Sequence, residues 1–174
     1  MAADLAFRFN AYARTKLNDS LRQIEKCLNL LSPEQVWHRP NEVSNAIGNL
    51  VLHLAGNVRQ WIIASLGGEA FARDRSAEFA QREPLPTDEI LDRLRETVER
   101  ACDVIGGVTP DALAARVTIQ GYNVTGLEAV FHVVEHFSLH TGQIVYATKL
   151  LINQDLSQYD AAGRRLDGRA SGTP

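Results

Sequence analysis

The segment from Thr125 to about Asn153 most constrains this fold, because it joins a helix start signal to three of the five histidines. In Thr125-Gly126-Leu127-Glu128 the hydroxyl and carboxylate can each accept from the other residue's amide, which is a capping box. Apolar residues then surround the segment, a pattern that predicts a helix buried on most sides. Its histidines would lie in or beside a core, where an unsatisfied polar group costs about 1–3 kcal/mol.

The three histidines, His132, His136 and His140, recur at four-residue spacing. Each such step turns a helix by about 40° and rises about 6 Å, so neighbouring members can bind one ion. His132 and His140 lie about 12 Å apart along the helix axis, which is too far for them to bind the same ion. Two pairs remain open, 132/136 and 136/140, and His136 belongs to both.

The composition favours one helical domain. A chain of 174 residues with 45% hydrophobic content can bury a core of its own. Periodic apolar stripes predict four long helices at about residues 4–31, 44–66 (with Ser44 as N-cap), 87–105 and 125–153. The charged, turn-rich stretch 69–86 predicts a long crossover between the second and third helices. We therefore expect an all-α four-helix bundle in residues 1–156 and a disordered polar tail in 157–174.

Charge and hydropathy argue against two kinds of partner, nucleic acid and membrane. The net charge of −3 gives no basic surface for nucleic acid. No signal peptide and no apolar run of membrane-spanning length occurs, so we expect no membrane partner and a cytoplasmic protein. The isolated Cys27 and Cys102 fall on apolar helix faces and are expected to be buried, reduced thiols.

A polar seam runs along the second predicted helix beside its buried face, formed by Asn49, His53, Asn57 and Gln60. Gly56 leaves space above the His53 ring. Helix bundles build metal sites from facing helices, and here the second offers His53 while the fourth offers His136 with His140. Three neutral imidazoles suit Zn, Ni, Fe, Cu or Mn and leave positions open for substrate. The competing interpretation is a partly exposed polar stripe with histidines that only pack.

One short motif indicates a different function. The sequence His132-Val133-Val134-Glu135-His136 matches the inverted zinc-peptidase signature. That family takes a further ligand from a downstream glutamate, and no glutamate follows Glu135 in this sequence. The peptidase hypothesis is therefore disfavoured.

Three stretches together resemble the DinB/YfiT-like superfamily, and within it a branch known only as a domain of unknown function. They are Asn45 to Trp61, the Arg-Asp-Arg-x-x-Glu-Phe stretch at 73–79, and Glu135-His136-Phe-Ser-Leu-His140-Thr-Gly-Gln-Ile144. The resemblance covers residues 5–160 and implies a four-helix bundle with a long connection between helices two and three, often a homodimer. It also implies a divalent metal site, whose ligands match His53, His136 and His140.

The resemblance also suggests a function, although fold does not fix it. Some relatives transfer or use small thiols such as bacillithiol and mycothiol, and others are described as metal-dependent hydrolases. The leading hypothesis is a metal-dependent enzyme acting on a small molecule, with Zn or Ni preferred over Fe or Mn. It activates either a thiol, as an S-transferase would, or water. The alternatives are a metal-stabilised helical dimer without catalysis and a purely structural dimer without metal.

The remaining candidates lie around the predicted ligands. Asn57 and Gln143 are candidates to orient imidazoles or substrate, and His132 to line the same pocket. Many DinB relatives have His-His-Arg-Gly-Gln where this chain has Leu139-His140-Thr141-Gly142-Gln143, so a non-ligand histidine and an arginine are absent here. Glu135 lies about 100° around the helix from His136, so the sequence places no general base and favours thiol activation over hydrolysis.

Overall fold

Helices account for most of the residues that the computed structural model describes, which are 2–157 and 160–162. A short antiparallel hairpin joins the last two helices, with Arg116 opposite Thr125 and Ile119 opposite Tyr122. The elements in chain order are α1 (Ala2–Leu28), α2 (Pro33–Val36), α3 (Ile47–Val58), α4 (Arg75–Ala80), α5 (Thr87–Gly107), α6 (Pro110–Ala114), β1 (Arg116–Ile119), β2 (Tyr122–Thr125) and α7 (Gly126–Ile152).

The long helices α1, α3, α5 and α7 form a four-helix bundle. α1 packs against α5 and α7, and α3 packs against the same two helices, so α1 and α3 occupy opposite corners. The core between them is aliphatic with one large ring, and its fully buried side chains include Leu17, Ile24, Leu54, Ile62, Leu94, Ile105, Phe137 and Ile144. The predicted all-α bundle with a long crossover between its second and third long helices is confirmed.

The helical path of α3 continues beyond Val58, where its α-helical hydrogen bonding ends. It continues as a π-helical segment, Arg59–Ala64, and the helical path stops at Gly67. A Cβ at Gly67 would lie 2.5 Å from the Ile63 carbonyl oxygen, so only glycine fits there. Single-turn π segments are frequent at functional sites. This one carries Trp61, which contacts α7.

The start of α3 corrects one prediction. Ser44 was expected to cap this helix, but the cap position belongs to Ala46, which has no polar side chain. The Asn49 Oδ1 accepts from the Ala46 amide at 3.1 Å and satisfies one of the free donors of the first turn. The capping box of α7 is confirmed: the Thr125 amide donates to Glu128 at 2.7 Å, and the Glu128 amide donates to the Thr125 hydroxyl at 3.2 Å.

The expectation that α7 is buried on most sides is wrong. Its core face is covered, but on the opposite side Phe131 is 58% exposed, Leu139 59% and Tyr146 67%. Each helix of a four-helix bundle packs against two neighbours, so its outer face has no partner within the chain. The apolar side chains of α7 exceed what one bundle buries, and they leave an apolar outer surface.

The predicted tail, 157–174, lies almost wholly outside the described residues, which include only Ser157 and residues 160–162 of it. Within the part of the chain that the structure describes, no helix combines the length and apolar character needed to cross a membrane.

Candidate metal centre

Three histidine side chains meet where α3 faces α7. His53 comes from α3 and is only 3% exposed, while His136 and His140 come from successive turns of α7. One ring nitrogen from each lies within 4.8 Å of the other two. The Nε2 atoms of His53 and His136 are 2.9 Å apart. The structure thus brings together the three residues that the sequence and the resemblance selected, in a group able to hold a metal ion.

His132 lies beside this group and not within it. Its ring packs in a tilted arrangement against Trp61, with a centroid distance of 4.1 Å, and stacks against His136 at 5.4 Å. Burial lowers its pKa, and the nearby Glu135 charge offsets part of that effect. Of the two histidine pairs that helical spacing left open, 136/140 is the one that faces His53.

The imidazoles on α7 are held in the form that binds metals. Burial lowers the pKa of His136 to about 3, with further lowering by the charges of His140 and His53. Burial also lowers the pKa of His140, and the hydrogen bond that His140 donates to Gln143 offsets part of this shift. Metals bind neutral imidazole. Near neutral pH these two rings need lose no proton to become ligands.

Hydrogen bonds at Nδ1 fix which nitrogen of His140 and of His53 is free. His140 Nδ1 lies 2.7 Å from Gln143 Oε1, and His53 Nδ1 lies 2.9 Å from Glu78 Oε2. Carbonyl and carboxylate oxygens only accept, so each Nδ1 carries the proton. In the neutral form each ring therefore leaves Nε2 as the nitrogen that can bind a metal, as metal-binding histidines usually do when their other nitrogen donates to a carboxylate or carbonyl.

The crossover supplies two residues that the sequence analysis missed as site residues. Arg73 donates through Nε to Glu78 Oε1 at 2.7 Å and through a second nitrogen to Oε2 at 2.8 Å. The two side chains are only 3% and 10% exposed. Burial raises the pKa of Glu78, but hydrogen bonds from His53 and Arg73 and the charge of Arg73 outweigh it, so the pKa falls. The carboxylate behind His53 is ionised. The signal was present, because both residues lie in the 73–79 stretch that carried the resemblance.

The polar seam of α3 attaches the crossover to the bundle. Asn49 Nδ2 donates to the carbonyl oxygens of Glu78 and Gln81, both at 3.0 Å. Gln60 Oε1 accepts from Arg73 at 3.1 Å. Asn49, His53 and Asn57 are at most 4% exposed, whereas Gln60 is partly exposed, so the competing interpretation of a partly exposed stripe is wrong for three of its four residues.

The other candidates occupy different surroundings. Gln143 contacts His140 as described above. Asn57 Oδ1 is buried and has no hydrogen-bond partner among the described residues. Glu135 is exposed to solvent. Although it is adjacent to His136 in sequence, this carboxylate lies about 100° around α7 from that histidine.

Fold and site define the class: a DinB-like helical protein with three histidines that could bind a metal. The chain belongs to the family described as "Protein of unknown function (DUF1572)", which matches residues 4–162. No curated protein matches this chain.

Several solved structures share the fold at low sequence identity. One is a conserved protein from Enterococcus faecalis, 15% identical with a TM-score of 0.69, where the match covers 83% of this chain and 97% of that chain. Another is a DinB-like protein from Bacillus cereus ATCC 10987, 16% identical with a TM-score of 0.59, covering 76% and 85%. A third is a mycothiol-dependent maleylpyruvate isomerase, 16% identical with a TM-score of 0.60, covering 86% and 70%. These matches confirm the DinB-like fold.

Proposed function

We propose that this protein is a divalent-metal-dependent enzyme that activates a small thiol and transfers it to a small electrophilic substrate. The metal ligands would be His53, His136 and His140. The observation that carries the proposal is the convergence of three imidazoles from two facing helices, with the Nε2 of His53 directed at that of His136. Zn²⁺ or Ni²⁺ is the preferred ion, with Fe²⁺ or Mn²⁺ as alternatives.

The residues present fit such an ion. Bonds of 2.0–2.1 Å from zinc to histidine nitrogens in a tetrahedral site place those nitrogens about 3.3 Å apart. The separations here start at 2.9 Å and stay within 4.8 Å, so side-chain adjustments of about 1 Å suffice. Three protein ligands leave a coordination position open, which distinguishes catalytic sites from closed structural ones.

The chemistry follows from the charge of the ligands. Three neutral ligands preserve the full positive charge of a bound divalent ion, which would lower the pKa of an adjacent thiol or water. Histidines 136 and 140 stay neutral near pH 7 because burial lowers each pKa. Trp61 and His132 form an aromatic wall one turn from the ligands, suited to an apolar part of the substrate.

Thiol activation is favoured over hydrolysis by the state of the nearby carboxylates. Water attack needs a general base, and Glu78 is already bound to Arg73 and His53. Glu135 is exposed. Within the described residues neither glutamate is free to act as a general base at the site, and a thiol, whose own pKa is about 8.5, needs less assistance than water to lose its proton. The similarity in fold to a mycothiol-dependent isomerase supports the same choice.

The proposal is tested by loading the protein with Zn²⁺ or Ni²⁺ and supplying glutathione, bacillithiol or mycothiol with 1-chloro-2,4-dinitrobenzene. We expect metal-dependent formation of the S-aryl product with release of chloride and a proton, and loss of at least about 100-fold in rate in His140→Ala. Turnover of test esters or amides without any thiol would instead favour a metal-dependent hydrolase. A bound metal with neither activity would favour a metal-stabilised dimer without catalysis.

We also propose that the protein is a homodimer, paired through the outer face of α7. The exposed Leu139 and Tyr146 flank Gly142, where an added Cβ would have no atom within 4 Å. Glu135 and Lys149 lie two turns before and after Gly142. An antiparallel twofold pairing that crosses at Gly142 sets Glu135 of one copy opposite Lys149 of the other, which makes the surface self-complementary.

A charge introduced on this face is expected to separate the copies. Leu139→Glu should elute with the mass of one chain, 19.2 kDa, in light scattering, while the unmodified protein has twice that mass. The matched control is Leu30→Glu, which introduces the same charge at another exposed leucine away from α7. Leu30 is 46% exposed and lies in the turn between α1 and α2. An unmodified protein that is monomeric at micromolar concentration would contradict the pairing.

A cytoplasmic location is part of the proposal. It is supported by Cys27 and Cys102, which are buried and unpaired, as is usual in a reducing compartment.

A further inference from the structure

The crossover between α3 and α5 brings a carboxylate to the side of the His53 ring that faces away from the other histidines. Two nitrogens of Arg73 hold the two oxygens of Glu78, and Glu78 Oε2 lies 2.9 Å from His53 Nδ1. A second Arg73 contact to His53 Nδ1, at 3.1 Å, cannot be a hydrogen bond, because Arg73 only donates and that nitrogen already carries a proton. The guanidinium instead serves Glu78 and the His53 carbonyl oxygen, 3.3 Å away.

α3 provides space for this carboxylate at Gly56. A Cβ at that position would lie 1.9 Å from Glu78 Oε1 and 3.0 Å from Arg73 Nε. Any larger residue would push the pair away from the helix, and with it the oxygen that His53 contacts. The approach of Glu78 to His53 is therefore built into the sequence of α3.

The crossover has attachments to the rest of the protein besides this carboxylate. Asn49 already fixes the backbone there through the carbonyl oxygens of Glu78 and Gln81. Trp37 adds a further attachment, donating to the Leu85 carbonyl at 3.0 Å. A buried ion pair is weak support for stability, because desolvation offsets much of its attraction. The side chain of Glu78 thus has a task beyond attachment.

We infer that Glu78 is a positioning residue for His53: it keeps the proton on Nδ1 and the ring in place, so that Nε2 points at the site shared with His136 and His140. Arg73 keeps the carboxylate ionised and correctly oriented. This inference rests on the proposed metal site, where an acceptor behind a histidine ligand strengthens that ligand and sets its tautomer.

The test compares Glu78→Gln with Glu135→Gln, which makes the same change at an exposed glutamate beside His136. Affinity for Zn²⁺ is measured by competition with a chromophoric chelator, and the tautomer of His53 by ¹⁵N NMR of the metal-free imidazoles. We expect Glu78→Gln to weaken Zn²⁺ binding about 10- to 100-fold and to lower the fraction of His53 protonated on Nδ1. Glu135→Gln should change neither value.

The outcomes separate this inference from the proposed function. Unchanged Zn²⁺ affinity in Glu78→Gln overturns the inference and leaves the metal site intact, and so does weakened binding with the His53 tautomer unchanged, which would mean that Glu78 only braces the crossover. An unmodified protein that binds no Zn²⁺ overturns the proposed function instead. Should Glu78→Gln fail to fold, Arg73→Lys replaces it; it keeps the charge but loses the two-point contact, and we expect the same two changes in smaller degree.

Discussion

Replacing His136 by alanine is expected to abolish stoichiometric metal binding. His136 contacts both other members of the group: its Nε2 lies 2.9 Å from that of His53, and its ring centroid lies 4.5 Å from that of His140. Zinc affinities of about 10–16 kcal/mol shared among four ligands give about 3 kcal/mol per ligand, or roughly a 100-fold loss for one. Elemental analysis after metal loading and dialysis measures the effect, which should reduce the content from about one ion per chain to less than about 0.1.

The matched control for this variant is His132→Ala. His132 lies one turn earlier on α7 and stacks on His136, yet it is outside the group of ligands. The substitution removes the same side chain from the same helix and should leave the metal content unchanged. Equal metal content in His136→Ala and the unmodified protein would rule out the proposed site.

The pH dependence of unfolding gives His136→Ala a second readout. Burial lowers the pKa of His136 to about 3 in the folded protein, whereas an unfolded histidine has a pKa near 6.5. Between these values the unfolded chain binds more protons, so the metal-free protein loses stability as pH falls below about 6.5. His136→Ala lacks this titration. From pH 7 to pH 5 the unfolding free energy of the metal-free unmodified protein should therefore fall more than that of His136→Ala, so the difference between them narrows.

The parts of the site that the sequence predicted follow from helical periodicity. The four-residue spacing of His136 and His140 fixes them on one face of α7, and His53 lies on a polar seam of α3. Periodicity also placed the core stripes of the bundle. What helical spacing left open, whether His132 or His140 partners His136, needed the family resemblance, and the structure brings His140 to His53.

The parts that were missed have no periodic signal. Glu78 and Arg73 belong to a crossover whose path is set by tertiary contacts, so nothing local indicates that one reaches His53. Ser44 is a better capping residue than Ala46 by type, but Asn49 satisfies the helix start from within the first turn. The outer face of α7 was predicted to be core because its residues are apolar. Sequence alone does not distinguish an apolar residue that is buried within the chain from one on a surface that another copy could cover.

Replacing Arg73 by methionine is expected to be among the most destabilising single changes in the protein. It leaves the Glu78 carboxylate, 10% exposed, with only His53 as a side-chain donor. Removing one partner of a buried ion pair costs about 3–5 kcal/mol, which in a chain of this size lowers the melting temperature by about 6–20 °C. The control is Arg75→Met, two residues on, where an exposed guanidinium lies over the Phe79 ring and the loss should stay below about 1 kcal/mol.

Two further measurements decide whether the loss in Arg73→Met comes from the stranded carboxylate. In the double variant Arg73→Met/Glu78→Met the stability should largely return, because no buried charge remains. In the unmodified protein the lowered pKa of Glu78 contributes stability that is present above about pH 4.5 and lost as pH falls through the folded pKa. Without Arg73 that contribution is gone, so the difference in unfolding free energy between the unmodified protein and Arg73→Met should shrink below pH 4.5. A double variant no more stable than the single one would mean that Arg73 acts through Gln60 or the His53 carbonyl oxygen instead.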